Sequence, residues 1–170
     1  LAIGETGGIA VNSRMQTSDP DIYAVGDAVE IENAVNGRKA LIALAGPANK
    51  QARVAADNIC GKPSRYLGSP ASCILQVFGK AVASTGVNER AARALGMDYD
   101  KVVLFPASHA GYYPGGSEMM MKVLWSRGSG RILGAQIIGA DGVDKRCDVI
   151  AAAMQAGMEA RELAGLDLAY

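Results

Sequence analysis

Cysteine, histidine and aromatic residues are scarce in this 170-residue chain, which has three cysteines, one histidine, one tryptophan and 5% aromatics. Cys60, Cys73 and Cys147 stand far apart and form no CxxC pair. They offer no disulfide framework, and their number fits a reducing compartment. Each falls in an apolar pattern and is expected as a buried structural thiol. No His/Cys/Asp cluster has metal-ligand spacing, so no metal site is expected. Net charge is absent too, with 17 Lys+Arg against 17 Asp+Glu. That excludes a whole-chain electrostatic grip on nucleic acid. No run of about 18 apolar residues offers a transmembrane helix. No basic stretch followed by an apolar one marks a signal peptide, and the expected location is cytoplasmic. There is no GxGxxG fingerprint, internal repeat or low-complexity tract. The chain opens on Leu1 rather than Met and stops at Tyr170 inside an apolar run, so both ends are expected to be cut.

What is present is core-forming material, 49% hydrophobic against 20% charged residues. Short strands and turns are expected over residues 1–27, including a buried strand Ile22–Val25 closed by Gly26-Asp27. Residues 28–40 read as polar and irregular, with a turn at Asn36-Gly37. The clearest helix is 47–60, with Ala48, Ala52, Ala55, Ala56 and Ile59 on one packed face. Pro47 suits its first turn, and Gly61 then Pro63 stop it. The turn-rich stretch 61–70 reads as a linker. Beyond it come strands at 73–78 and 81–87, and a short helix capped by Asn88 and ended by Gly96. A strand follows at 101–105, then a hairpin of 117–126 with 132–138 around Arg127–Gly130. Val143, Cys147, Ile150, Ala151 and Met154 mark an amphipathic helix ended by Gly157, and 159–164 reads as another short helix. Strands with helices segregated to one side give an α+β domain.

Two stretches carry chemistry. The first is Thr17-Ser18-Asp19-Pro20-Asp21-Ile22-Tyr23-Ala24-Val25-Gly26-Asp27. A strand ending in Gly and a carboxylate lets a ligand approach the backbone and offers an acceptor for sugar-like hydroxyls. The residues alone leave a solvated turn Asp equally open. The full string resembles the second flavin-binding motif of the FAD-dependent pyridine nucleotide-disulfide oxidoreductases. Thr17, Ile22, Tyr23, Ala24, Gly26 and Asp27 fill every position of that pattern. The resemblance places Asp27 on the flavin ribityl chain. It also makes Leu44, Ala45 and Pro47 flavin contacts, in a loop entering a helix whose free N–H groups stabilise negative charge.

The second stretch is His109-Ala110-Gly111-Tyr112-Tyr113-Pro114-Gly115-Gly116. Adjacent tyrosines in a Gly/Pro loop are not core packing by default. The stretch resembles the Tyr-Tyr-Pro-Gly loop of coenzyme A-disulfide reductases and their persulfide- and NADH-oxidising relatives. In that subgroup tyrosines from a dimerisation domain reach the partner's active site, and Tyr112 and Tyr170 match them as catalytic residues. A phenol can donate a proton to a leaving thiolate. Tyr113 is either a substrate contact or a loop anchor. His109 is followed by Ala110 rather than Pro, which departs from the glutathione-reductase branch. Lys145 and Arg146 match a subgroup Lys-Arg pair suited to coenzyme A phosphates. A solvated face with ion pairs to Asp144 and Asp148 is equally open.

The resemblance implies the end of an FAD-binding α/β segment over 1–65, then a dimerisation domain over 66–170 with a mainly antiparallel sheet flanked by helices. The parent is then a homodimer reducing coenzyme A disulfide, or a related disulfide or persulfide, with NAD(P)H. It would work through FAD and a cysteine absent here, so the fragment alone is expected to be inactive. An NADH oxidase of the same family and a non-catalytic dimerisation module are the alternatives.

Overall fold

The computed structural model describes residues 1–169, which form two compact units meeting between Ala71 and Ser72. In the first unit, β1 (Ile9–Ala10) runs parallel to β2 (Val29–Glu32), and β2 pairs antiparallel with β3 (Lys39–Leu41). Helix α1 (Ala45–Ile59) follows. Val29 and Ile31 alternate on the inner face of β2 and meet Met15, Ile42, Val54 and Ala55 in one core. Glu30, between them, is also buried. Its carboxylate is satisfied by the Thr6 N–H at 2.7 Å and the Thr6 hydroxyl at 2.8 Å. Those bonds, led by the backbone one, hold its pKa below the usual carboxylate range against the opposing effect of burial. The segment after α1 stays in this unit, with the Tyr66 N–H donating to Ser13 O and the Ser69 N–H to Glu32 O.

Three expectations fail here. Ile22–Val25 is not a buried strand, because only Tyr23 makes a bridge, to Gln16, and Ile22 and Val25 are exposed. Residues 28–40 are not irregular, since the β2–β3 hairpin lies there. The regular strand therefore follows Gly26-Asp27 instead of preceding it. The buried face of α1 also differs, comprising Pro47, Gln51, Val54, Ala55 and Asn58. Ala52, Ala56 and Ile59 face solvent.

The second unit is a five-stranded antiparallel sheet in the order β4-β5-β8-β7-β6. Its strands are β4 (Cys73–Val77), β5 (Lys80–Gly86), β6 (Tyr99–Leu104), β7 (Met119–Ser126) and β8 (Ile132–Gly139). Helix α2 (Glu89–Ala94) starts at Asn88, whose side chain accepts from the Ala91 N–H. Helix α3 (Val143–Gln155) packs on β8 and β5. Its inward residues Val143, Cys147, Ile150 and Ala153 join Ala83, Met119, Met121, Val123, Ala135 and Ile137 in an apolar core. A 3₁₀ turn, Ala160–Gly165, closes the described chain. Helices on a mainly antiparallel sheet make this unit α+β, as the pattern of elements predicts.

The cysteines need correction. Only Cys147 is buried; Cys60 is exposed and Cys73 half-buried. Cys60 lies just past Ile59, which is itself 65% exposed, so the helix phase turns both outward. Cys73 lies on edge strand β4, with Ser84 Oγ 3.3 Å from its sulfur. Burial pushes the Cys147 thiol up to about 11, which suits an inert core group.

Candidate functional site

The residues expected at a flavin gather within the first unit. Gly26, Asp27 and Ala28 form a 3₁₀ turn packed against α1. Gly26 has φ +81°, a conformation that favours glycine. Its N–H donates to Gln51 Oε1 at 2.7 Å, and Gln51 is completely buried on α1. A Cβ at Gly26 would stand 3.9 Å from that of Ala48, so the turn lies against the second turn of the helix. Asp27 is exposed, and its carboxylate has no hydrogen bond or ion pair among the described residues.

Leu44 is the N-cap of α1 and makes no side-chain cap. No acidic residue occupies the first turn, so the 15-residue helix brings no countercharge of its own to its positive end. Ala45 is exposed there, Leu44 half-buried and Pro47 buried. An unengaged carboxylate beside an uncapped helix start can take sugar hydroxyls and negative charge together. Gln51, which no motif singled out, wires the two parts to each other. Helix phase was the available signal, since Gln51 lies four residues from both Pro47 and Ala55.

The tyrosine stretch is a loop between β6 and β7 in the second unit. Its base is closed by the Ser108 N–H to Ser117 O at 2.8 Å and the Ser117 N–H to Ser108 Oγ at 3.1 Å. Within it the Tyr113 N–H donates to Ala110 O at 3.0 Å. The His109 ring stands edge-on to Tyr113, with centroids 5.7 Å apart, and its Nδ1 lies 3.1 Å from Ala110 O. Tyr112 and Tyr113 are 79% and 67% exposed. Tyr170 lies outside the described residues.

Lys145 is exposed on the first turn of α3, and Arg146 is half-buried. Both line an open groove of about 1410 Å³ that also includes Val102, Leu104, Met121 and Trp125. Neither Tyr112 nor Tyr113 lines it. No group of three or more His, Cys, Asp or Glu among the described residues is placed to hold a metal. No helix among them is long and apolar enough to cross a membrane.

The model of the pyridine nucleotide-disulphide oxidoreductase dimerisation domain matches residues 74–170, more than half of the chain. The chain belongs to the pyridine nucleotide-disulphide oxidoreductase family. A second model of this family matches residues 1–52. An NAD(P)H coenzyme A polysulfide/persulfide reductase of Pyrococcus horikoshii is 34% identical over the whole chain. A coenzyme A disulfide reductase of Staphylococcus epidermidis is 31% identical, also over the whole chain. The chain spans only 38% and 39% of the lengths of these two oxidoreductases. The solved NAD-dependent persulfide reductase from A. fulgidus superposes on the whole chain with a TM-score of 0.97 at 44% identity. The match covers 31% of that structure.

Proposed function

We propose that this chain is part of a homodimeric flavoenzyme that reduces coenzyme A disulfide, or a related disulfide or persulfide, with NAD(P)H. The reading is carried by the exposed tyrosine loop, set on the dimerisation-domain match of a chain whose relatives are named for coenzyme A and persulfide substrates.

The Gly26–Asp27 turn and the start of α1 suit FAD. Asp27, with no partner among the described residues, would hold ribityl hydroxyls, and Gly26 would keep the turn open to them. Leu44, Ala45 and Pro47 would line the ring's edge, where the uncapped N–H groups favour negative charge. Bound there, FAD supplies a two-electron relay between a nicotinamide and a thiol. The reactive cysteine lies outside these residues, which makes this chain by itself inactive.

Tyr112, with Tyr170, would enter the partner's site and donate a proton to the leaving thiolate. Tyr113 would steady the loop or touch the substrate. Lys145, exposed at the start of α3, would meet coenzyme phosphates as a point charge. Arg146 shares that expectation from the resemblance. The test is steady-state kinetics of the full-length enzyme. NAD(P)H oxidation should depend on coenzyme A disulfide or persulfide, with oxygen a poor substitute. Tyr112→Phe should lower kcat about a hundredfold with flavin content retained. Unchanged kcat would remove Tyr112 from the chemistry, and equal turnover with oxygen alone would favour an oxidase.

A further inference from the structure

We propose that Arg146 is a positioning residue that holds the base of the Tyr112–Tyr113 loop, rather than a ligand for the coenzyme's phosphates. This rests on the reading of Tyr112 given above and names what fixes it.

Ser108 begins the loop and is only 5% exposed. Its N–H and Oγ are both engaged with Ser117. That leaves its carbonyl, a buried acceptor that needs a donor. Arg146 supplies one, with Nη2 donating to Ser108 O at 2.7 Å, a short charge-assisted bond. The bond joins α3, whose inner face lies in the core, to a loop whose far end is in solvent.

The space for that guanidinium is made locally. Gly142 precedes α3 with φ +71°, and a Cβ there would stand 3.0 Å from Arg146 Nη1 and 3.5 Å from Ser108 O. A side chain at 142 would press on the guanidinium and come into contact with Ser108 O. From Ser108 the contact continues outward. His109, the next residue, lies edge-on to Tyr113, and a Cβ at Gly116 would come within 3.3 Å of its ring. Arg146, Ser108, His109 and Tyr113 thus form one line of contact ending beside Tyr112. An arginine engaged this way has spent part of its fork on the protein's own backbone. Exposed Lys145, its neighbour, keeps its ammonium available. The pair therefore divides into one cation directed inward and one directed outward.

The test uses the full-length flavoenzyme with Arg146→Gln and Arg146→Lys, compared with Tyr112→Phe. Amide exchange of residues 109–118 should rise about tenfold in Arg146→Gln, with β5 and β8 unchanged. Its kcat should fall about tenfold while KM for coenzyme A disulfide stays within about twofold. Arg146→Lys should restore part of both, since an ammonium can still donate one bond. If KM rises tenfold while kcat and loop exchange hold, Arg146 is a coenzyme ligand and the proposal fails. It also fails if no loop amide changes in either variant. If loop exchange rises but Tyr112→Phe turns over normally, Arg146 still positions the loop, and it is the reading of Tyr112 that fails.

Discussion

Helix α1 of the first unit turns Gln51 and Asn58 inward, whereas α3 of the second turns Val143, Cys147 and Ile150 inward. The difference follows from what each helix covers. The second unit's strands satisfy one another along long antiparallel ladders, so the face that α3 lays on the sheet is apolar. The first unit is mostly turns, whose backbone groups lack ladder partners. Asn58 donates to Val54 O and Ser64 O and accepts from Arg14 Nε, while Gln51 accepts from the Gly26 N–H. The turn-built unit is held by buried amides, and the sheet-built one by packing.

That contrast can be broken from either side by hydrogen exchange on the intact protein. The largest effect is expected in the sheet. Ile137 is 1% exposed at the centre of the second core, and Ile137→Ala should cost about 3–4 kcal/mol through lost transfer energy and a residual cavity. Exchange in β7, β8 and α3 should accelerate accordingly, with the first unit unaffected. A loss under about 1 kcal/mol would mean that the sheet relaxes into the space. Next in size is Gln51→Leu, which keeps the volume but strips the Gly26 N–H of its acceptor, at about 1–3 kcal/mol. Exchange at Gly26 and Asp27 should rise most, and flavin retention in the full enzyme should fall. If Gln51→Leu were neutral, the amide would not be what holds the cradle. Gln51 Nε2 and the nearby Tyr66 hydroxyl are themselves buried. Burial pushes the Tyr66 phenol up, while Gln51 and Ser69 beside it act in the opposite direction.

The same contrast decided what was legible in the sequence. In the second unit, alternation and turn chemistry located β4 to β8, the Asn88 cap and α3 to within a few residues, and on β7 and α3 apolar period and burial coincide. In the first unit they diverge. Ile22-Tyr23-Ala24-Val25 has strand composition but makes a one-residue bridge, at Tyr23, instead of a ladder, and Ile22 and Val25 stay exposed. In α1 the alanines at 52 and 56 advertised an apolar face, yet the turns beneath needed amides, and Gln51 and Asn58 took the inner positions. The candidate site residues were legible only through their resemblance to family motifs. Which of them engage the protein itself, as Arg146 does, depended on contacts between distant elements that no local pattern carries.

The smallest expected effect concerns how α2 is pinned, where charge joins the Asn88 cap and the buried Ala92. Glu89 Oε1 takes Lys101 Nζ at 2.8 Å, Arg93 Nη2 at 3.0 Å and the Tyr99 hydroxyl at 3.1 Å, and Oε2 takes Lys122 Nζ at 3.2 Å. The lysine hydrogen bonds, Lys101 first, pull its pKa down from the ordinary 4.5 to about 2. Because the folded value is the lower one, this contribution is fully present above pH 4.5 and fades as pH falls from there through about 2. Solvent reaches the cluster, and the Arg93 arm, 71% exposed, adds little. Glu89→Gln should therefore loosen α2 modestly at neutral pH, with exchange of residues 89–95 faster than in the unmodified protein. The ratio of the two rates should shrink towards one across that acid window. A ratio that stayed constant with pH would show that Glu89 holds α2 by shape and neutral hydrogen bonds, leaving α2 pinned much as α1 is.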